Sequence, residues 1–179
     1  LTEYSLGNNE IPEEYIEWVE LESAAVGDEE EPAQLVGVWV HQCLSEEDCA
    51  TPQREGFKSS RQDKTILYLH GNTEHLDHYW DRIQIMWNLG YRIFAIEYRG
   101  YGMSTGTPSE EGVFADGEAA LEHVIGRLVE EDPSLALADG SLPPALPLDL
   151  GFYGFSLGST VAIDLASKNP PKVLVTESA

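Results

Sequence analysis

The stretch Gly154-Phe155-Ser156-Leu157-Gly158 decides the fold, because it lies where an apolar, strand-like segment meets a segment with helical spacing of apolar residues. A serine at a sharp strand-to-helix turn is held in strained backbone geometry, and its hydroxyl is exposed at the edge of the sheet. The strand and the helix pass so close that the positions two before and two after the serine must have almost no side chain. Gly154 and Gly158 occupy those positions. The stretch therefore predicts a nucleophile elbow with Ser156 as the catalytic nucleophile.

The elbow belongs to a longer series in which strands and helices alternate from Lys64 onward. The segments between the strands place apolar residues at helical spacing, and Ser109 has the residue type of an N-cap for the second helix. Alternation of this kind implies a mostly parallel sheet with helices on both faces. Short apolar runs predict the strands at residues 65–69, 91–96, 148–155 and 173–176.

Two further strands precede this series. Residues 15–21 alternate apolar and acidic side chains, as a half-buried antiparallel strand does, and residues 35–40 form a second apolar run after a polar turn. The sequence therefore predicts an α/β fold in which antiparallel leading strands flank a mostly parallel sheet. That sheet is truncated after the strand that follows the nucleophile helix.

A second chemical feature, His70-Gly71-Asn72, follows the predicted strand 65–69. An acyl-transfer enzyme needs hydrogen-bond donors that are in place before the oxyanion forms. In the geometry that accompanies a nucleophile elbow, one donor is the backbone N–H after the nucleophile, here Leu157, and the other comes from the loop after the third strand. We expect the Asn72 N–H to be this second donor, because Gly71 lets the backbone bend close to a substrate.

Four motifs occur here in the order found in a known family. They are His70-Gly71-Asn72, the run EYRGYGMSTG at 97–106, Pro108-Ser109-Glu110-Glu111-Gly112, and the elbow at 154–158. This set resembles the α/β-hydrolase superfamily of serine hydrolases, and more closely its BEM46/ABHD13-like branch, from about Tyr15 to the end. In that branch small residues and another asparagine usually follow the first motif. Because Thr73-Glu74-His75 follows here, we expect local substrate contacts to differ.

The resemblance implies an α/β-hydrolase fold and a Ser–Asp–His triad in that chain order, with Ser156 as its serine. The acid and the histidine are expected to follow later strands, outside these residues. Residues 1–179 are then the amino-terminal portion of a single α/β-hydrolase domain. A carboxy-terminal half is expected as a second chain or as a further segment. All five histidines precede the serine, namely His41, His70, His75, His78 and His123.

Two of the polar residues near these motifs have an expected structural role. His70 is expected to hold the oxyanion loop rather than to act as the base, because the family order places the base after the serine. Glu177 ends the last predicted strand and would be a triad acid only in a variant layout. We expect it to be structural, because the resemblance places the acid further along the chain.

The glycine-rich loop at 100–106 has an alternative interpretation. It follows a predicted strand and precedes a helix, as a dinucleotide-binding turn does. Its spacing differs by one residue from GxGxxG, and no acidic residue clearly ends the next strand, where a ribose would bind. We therefore interpret the loop as structural and packed beneath the active site. Glu97 and Arg99 are expected to be partners in buried or loop hydrogen bonds.

The charge and the cysteine content bear on which molecules the chain binds and on the cellular compartment in which it is found. With 32 acidic and 10 basic residues, the formal charge of −22 repels nucleic acid and anionic membranes. Cys43 and Cys49 have no histidine at zinc-finger spacing, so they predict either a small loop disulfide or two free thiols. The localisation is therefore open: a disulfide favours an extracytoplasmic location, and free thiols favour the cytoplasm.

We conclude from the sequence that the chain is part of a serine hydrolase. It is expected to cleave a small-molecule ester or acyl substrate through an acyl-enzyme on Ser156, with no cofactor and no metal. A thioesterase or a serine peptidase would use the same machinery. A non-catalytic interaction module with the α/β-hydrolase fold is the alternative from another class. The intact elbow argues against such a module, and the missing histidine argues for it.

Overall fold

A computed structural model describes residues 6, 9–45, 64–73, 75–136 and 149–179 of the chain. Its strands are β1 (Ile16–Ser23), β2 (Ala33–Val40), β3 (Thr65–Leu69), β4 (Arg92–Ile96), β5 (Leu150–Phe155) and β6 (Val173–Glu177). Its α-helices are α1 (Trp80–Asn88), α2 (Glu110–Glu131) and α3 (Leu157–Lys168). Short 3₁₀ helices lie at Glu13–Tyr15, Leu76–Tyr79 and Pro133–Leu135.

The six strands form one sheet in the order β1-β2-β4-β3-β5-β6. The pairs β1–β2 and β2–β4 are antiparallel, whereas β3 pairs in parallel with β4 and β5, and β5 pairs in parallel with β6. This arrangement confirms the predicted fold, a mostly parallel sheet with antiparallel leading strands. The carboxyl ends of β3 and β5 consequently lie side by side, which places the loops that follow them at one edge of the sheet.

Two apolar cores cover the two faces of the sheet. Alternate strand residues point to opposite faces. Leu67 and Phe152 accordingly pack with α2 and α3 on one face, whereas Ile66 and Tyr68 pack with α1 on the other. Each fully buried side chain of this size contributes about 1.5–3 kcal/mol relative to exposure. Helices on both faces therefore fix the central strands firmly, and the elbow rests on that support.

The predicted strands agree with the observed ones to within two residues at their ends. The leading strands extend further than the alternating pattern does, because their ladder of paired residues runs from Ile16 opposite Val40 to Ser23 opposite Ala33. Residue 148, the first residue of the predicted strand 148–155, lies outside the described residues. Cys49 lies outside them too, so its pairing with Cys43 stays a prediction.

Strand β6 lies at one edge of the described sheet, and β1 lies at the other. Val173, Leu174 and Val175 retain 47%, 40% and 40% of their accessible surface, although neighbouring side chains of a strand point to opposite faces. Both faces of β6 are therefore open, in contrast to the fully buried β3. None of the described helices has the length and the apolar character that crossing a membrane requires.

Alanine substitutions at Gly117 and Gly126 of α2 form a matched pair that tests the packing of α2 against α3. A Cβ at Gly117 would lie 2.4 Å from Cγ1 of Val161 in α3, whereas a Cβ at Gly126 would meet nothing within 4 Å. Because the β-branched Val161 is stiff, we expect Gly117→Ala to lower the free energy of unfolding by roughly 1–3 kcal/mol. Gly126→Ala should raise it by up to about 1 kcal/mol, since alanine favours the helix. Urea unfolding measures both, and an unchanged Gly117→Ala protein would contradict the close α2–α3 contact.

Candidate active site

Ser156 alone forms the turn between β5 and α3. The strand ends at Phe155 and the helix begins at Leu157, and Ser156 between them has φ 52° and ψ −116°. Such a backbone conformation costs a non-glycine residue about 1–3 kcal/mol and persists only where the surrounding structure imposes it. The Ser156 N–H donates to the Glu177 carbonyl oxygen at 2.8 Å, and the Ser156 carbonyl accepts from the Ser159 N–H at 2.9 Å. Both backbone groups of the strained residue are thereby satisfied.

The two glycines of the elbow are required by backbone contacts. A Cβ on Gly154 would lie 2.3 Å from the carbonyl oxygen of Gly158 and 2.5 Å from Cα of Ser159. A Cβ on Gly158 would lie 2.0 Å from the carbonyl oxygen of Leu69. Backbone atoms cannot move aside as the end of a flexible side chain can. The strand and the helix therefore cross as closely as the sequence pattern predicts.

The loop after β3 lies directly beside the elbow. Leu69, the last residue of β3, is opposite Gly154 in the parallel ladder. The first turn of α3 also touches this strand end, because a Cβ on Gly158 would lie 2.7 Å from the His70 carbonyl oxygen. The structure thus brings the Ser156 turn and the His70-Gly71-Asn72 loop to the same edge of the sheet. Asn72 is exposed there, and Leu157 is half-buried.

Two tyrosine hydroxyls hold this loop in place. Tyr79 accepts a hydrogen bond from the Thr73 N–H at 3.1 Å, and the Tyr101 hydroxyl donates to Oδ1 of Asn72. Tyr79 lies in the segment between β3 and β4, where the sequence places apolar residues at helical spacing. Its hydroxyl was missed because helical spacing reveals which face a residue occupies but not what its polar end reaches. Both tyrosines act on the backbone segment that carries the expected oxyanion donor.

His70 is fully buried beneath the loop. Its Nδ1–H donates to the Gly71 carbonyl oxygen at 2.7 Å, since a carbonyl only accepts, and its Nε2 lies 3.5 Å from Oε2 of Glu97. The ring packs against Tyr98 and Tyr79, with centroid distances of 4.5 and 5.3 Å. Burial lowers the pKa of His70 from 6.5 to about 4. A neutral, buried imidazole fits the structural role expected from the sequence.

The remaining histidines contact groups other than Ser156. Within the described residues the structure thus identifies no histidine as a base for this serine. Nor do the described residues bring three His, Cys, Asp or Glu side chains together as a metal site would require. The contacts are His41 with Glu17, His75 with Asp77, His78 with the edge of the Tyr79 ring, and His123 with the indole N–H of Trp39.

Glu177 lies on the face of the sheet that α1 covers. Its carboxylate accepts hydrogen bonds from the Arg82 guanidinium at 2.9 Å and from the Tyr153 hydroxyl. Both contacts lower the pKa of Glu177, Arg82 more than Tyr153. A carboxylate engaged in this way fits the structural role expected of Glu177 better than that of a triad acid.

The glycine-rich loop at 100–106 packs on the sheet and touches the loop after β3. Ser104 donates to the Glu97 carbonyl at 2.8 Å, and Tyr101 reaches Asn72 as described above. The preceding Arg99 is fully buried and donates to the buried Asp116 carboxylate at 2.8 Å. Protein groups thus use the polar atoms of this segment, which supports the structural interpretation over nucleotide binding.

These features define an α/β hydrolase. Residues 60–177, more than half of the chain, match the family described as serine aminopeptidase, S33. The chain belongs to this α/β-hydrolase family, and it is a BEM46/ABHD-like member of it. The resemblance read from the motifs is thereby confirmed.

Three relatives place the chain within the family. It is 31% identical over 117 residues to the protein bem46 of Schizosaccharomyces pombe, a match that covers 65% of this chain and 34% of that protein. It is 34% identical to WAV2 of Arabidopsis thaliana, covering 61% and 31%. It is 32% identical to the lysophosphatidylserine lipase ABHD12 of Danio rerio, covering 69% and 29%. The chain thus spans about a third of the length of the curated relatives that it matches.

Solved structures share the fold. A Pyrococcus furiosus esterase superposes with a TM-score of 0.52 at 24% identity, over 90% of this chain and 51% of that one. An α/β serine hydrolase without a lid from Xanthomonas campestris superposes with a TM-score of 0.57 at 19% identity, over 94% and 63%. At these identities the likeness establishes the fold alone.

The buried His70 yields a prediction about protonation. Its pKa of about 4 in the folded state lies below the ordinary 6.5 of an unfolded chain. Between these values the unfolded state binds a proton that the folded state does not, so His70 lowers stability as pH falls through this window. In an NMR titration the His70 ring should stay neutral from pH 7 to pH 5. An imidazolium signal at pH 7 would show instead an ion pair with Glu97.

Proposed function

We propose that this α/β hydrolase is a serine hydrolase of carboxylic ester-like substrates with Ser156 as its nucleophile. The observation that carries the proposal is the strained turn at Ser156, with φ 52°. Glycine would adopt this conformation without strain, so a serine here is explained best by use of its hydroxyl. An ester substrate is favoured because the relatives include a lysophosphatidylserine lipase.

The proposed reaction has two halves. Ser156 Oγ attacks the substrate carbonyl carbon, and the C=O electron pair moves to the oxygen, where the Leu157 and Asn72 N–H groups donate to it. The start of α3 adds the positive end of its dipole at the same place. Collapse of the tetrahedral intermediate breaks the bond between the carbonyl carbon and the alcohol oxygen, which takes up the proton that Ser156 gave to the base, and leaves the acyl group on Oγ. Water then attacks the acyl-enzyme, releases the acid and restores the serine.

The base and the acid of the triad are proposed to come from a carboxy-terminal half, in the same polypeptide or in a second chain. A histidine must take the Ser156 proton, and an acid must orient that histidine. The exposed Val173, Leu174 and Val175 support this proposal, because further strands and helices on β6 would bury them. The greater length of the relatives supports it too. Residues 1–179 would then be the amino-terminal portion of one domain.

The competing functions differ in what they require of Ser156. A thioesterase or a peptidase would form the same acyl-enzyme and would differ only in the leaving group, so the choice rests on substrates tested side by side. A non-catalytic module would gain nothing from a strained serine that costs about 1–3 kcal/mol. The strain at Ser156 therefore favours an enzyme over such a module.

The nucleophile is tested by Ser156→Ala in the full-length protein. We expect kcat/KM for p-nitrophenyl acetate to fall by more than about 10³-fold, because the acyl-enzyme cannot form. Labelling by a fluorophosphonate probe should disappear as well. Ser167→Ala is the matched control, since the Ser167 hydroxyl bonds only within its own helix, to the Asp164 carbonyl at 2.7 Å. Continued labelling of Ser156→Ala at another serine would contradict the assignment.

The carboxy-terminal half is tested by the mass of the purified native protein. Intact mass spectrometry under denaturing conditions, with peptide mapping, should reveal either a longer polypeptide or a companion chain. Its sequence should contain the histidine and the acid. A single folded, monomeric species of 19.8 kDa would contradict this proposal and favour the non-catalytic module.

A further inference from the structure

A charged cluster lies beside the elbow on the α1 face of the sheet. Arg82 of α1 donates from Nη2 to Oε1 of Glu177 at 2.9 Å and from Nε to Oε2 at 3.4 Å. The Tyr153 hydroxyl of β5 donates to Oε2 of the same carboxylate. Three elements, α1, β5 and β6, thus meet at one carboxylate, and the guanidinium contacts both of its oxygens in a planar fork.

The backbone of the same residue supports the nucleophile. The Glu177 carbonyl oxygen accepts the Ser156 N–H at 2.8 Å and lies 3.2 Å from Oγ of the buried Ser159. Through its side chain Glu177 is anchored to α1, and through its carbonyl it holds the strained turn. Any shift of the end of β6 therefore moves the acceptor on which the backbone of Ser156 depends.

Arg82 also reaches the elbow directly. Its guanidinium carbon lies 4.0 Å above the centroid of the Phe155 ring, a cation–π contact with the residue just before Ser156. The Phe155 ring in turn closes on Gly71, because a Cβ added there would lie 3.0 Å from Cδ1 of the ring. One guanidinium therefore contacts the side-chain carboxylate of Glu177, whose carbonyl accepts the Ser156 N–H, and the aromatic ring between the elbow and the loop after β3.

We propose that Arg82 and Glu177 are positioning residues that hold Ser156 in its attacking geometry, an inference that rests on the proposed function. Strand β6 has one strand neighbour among the described residues and is open on both faces, so local packing restrains its end only weakly. The ion pair supplies the restraint that packing lacks. A partly exposed pair adds little to global stability, whereas a displacement of about 1 Å at a reacting atom slows chemistry up to about 100-fold. The pair therefore acts on rate more than on stability.

A matched ion pair elsewhere in the fold provides the control. Arg82 and Glu177 have side-chain exposures of 31% and 39%, and Arg127 and Glu17 have the same two values at an N–O distance of 2.7 Å. Arg127 joins α2 to β1, which lies at the opposite edge of the sheet from β6. Loss of either arginine removes a pair of equal exposure, and loss of Arg127 also removes its pair with Glu131 at 3.2 Å. Of the two arginines, only Arg82 touches the elbow.

The experiment compares Arg82→Ala, Arg82→Lys and Arg127→Ala in the full-length protein. The active serines are counted with a fluorophosphonate probe, and kcat and KM are measured with p-nitrophenyl acetate. We expect Arg82→Ala to lower kcat about tenfold or more with KM nearly unchanged, and Arg82→Lys to recover part of the loss. Arg127→Ala should keep the wild-type kcat. Equal kcat for Arg82→Ala and Arg127→Ala would overturn the inference.

Glu177→Gln separates positioning from direct catalysis. If Glu177 is a positioning residue, Glu177→Gln should lower kcat about as much as Arg82→Ala does, because the amide oxygen still accepts the hydrogen bond from Tyr153. A drop of about 10⁴-fold, the size seen when a triad acid becomes an amide, would make Glu177 the acid and overturn the positioning role.

A readout without turnover separates this inference from the proposed function. If Ser156→Ala retained full hydrolytic activity, the proposed function would be wrong. The effect of Arg82 on the Ser156 turn would still be measured by hydrogen exchange. In the mass spectrometer the peptide that contains the Ser156 amide should exchange faster in Arg82→Ala than in Arg127→Ala. Equal exchange in the two variants would overturn the inference whatever the activity.

Discussion

The first turn of α3 passes so close to the ends of β3 and β5 that no side chain fits at Gly154 or Gly158, and the candidate site depends on this contact. A Cβ at Gly158 would lie 2.0 Å from the Leu69 carbonyl, and one at Gly154 would lie 2.3 Å from the Gly158 carbonyl. Because a single residue, Ser156, separates the end of β5 from the start of α3, it has no room for a relaxed turn and takes a positive φ. The same contact brings the start of α3, with its free N–H groups, beside the loop that carries Asn72. Strain, nucleophile and expected donors thus have one structural cause.

Features fixed by local pattern could be predicted from the sequence. The strand β3 matches its predicted bounds because an uninterrupted apolar run between polar residues leaves little choice of ends. The Ser109 cap could be predicted as well, and its hydroxyl accepts from the Gly112 N–H at 3.0 Å. The elbow glycines are of the same kind, since the steric requirement lies within five residues. The parallel order of the sheet followed from the alternation of strands and helices.

Contacts between distant charged residues could not be predicted in this way. Arg82 and Glu177 are 95 residues apart, and Glu177 is one of 32 acidic residues that could have paired with the arginine. The choice is made by the docking of α1 on the sheet and by the register that sets Glu177 opposite Phe155. The burial of Arg99 against Asp116 is likewise a tertiary fact, since composition alone favours exposure of both residue types. Sequence patterns predict which face of an element is buried and where a turn occurs, whereas these ion pairs depend on how the elements pack against one another.

The candidate site lies at the boundary between a covered part of the sheet and an open one. On one side of β5 is β3, buried on both faces, and on the other is β6, whose apolar side chains are 40–47% exposed. The strained geometry of Ser156 comes from the close contact between Gly158 and the Leu69 carbonyl of β3. The acceptor of the Ser156 N–H is the Glu177 carbonyl of β6. Completing the burial of three such side chains would contribute on the order of 1 kcal/mol each, a free energy comparable to the strain at the turn. Whatever covers β6 would therefore stabilise the Glu177 carbonyl against Ser156 while it completes the sheet, so that the stability of this edge and the readiness of the nucleophile depend on the same contacts.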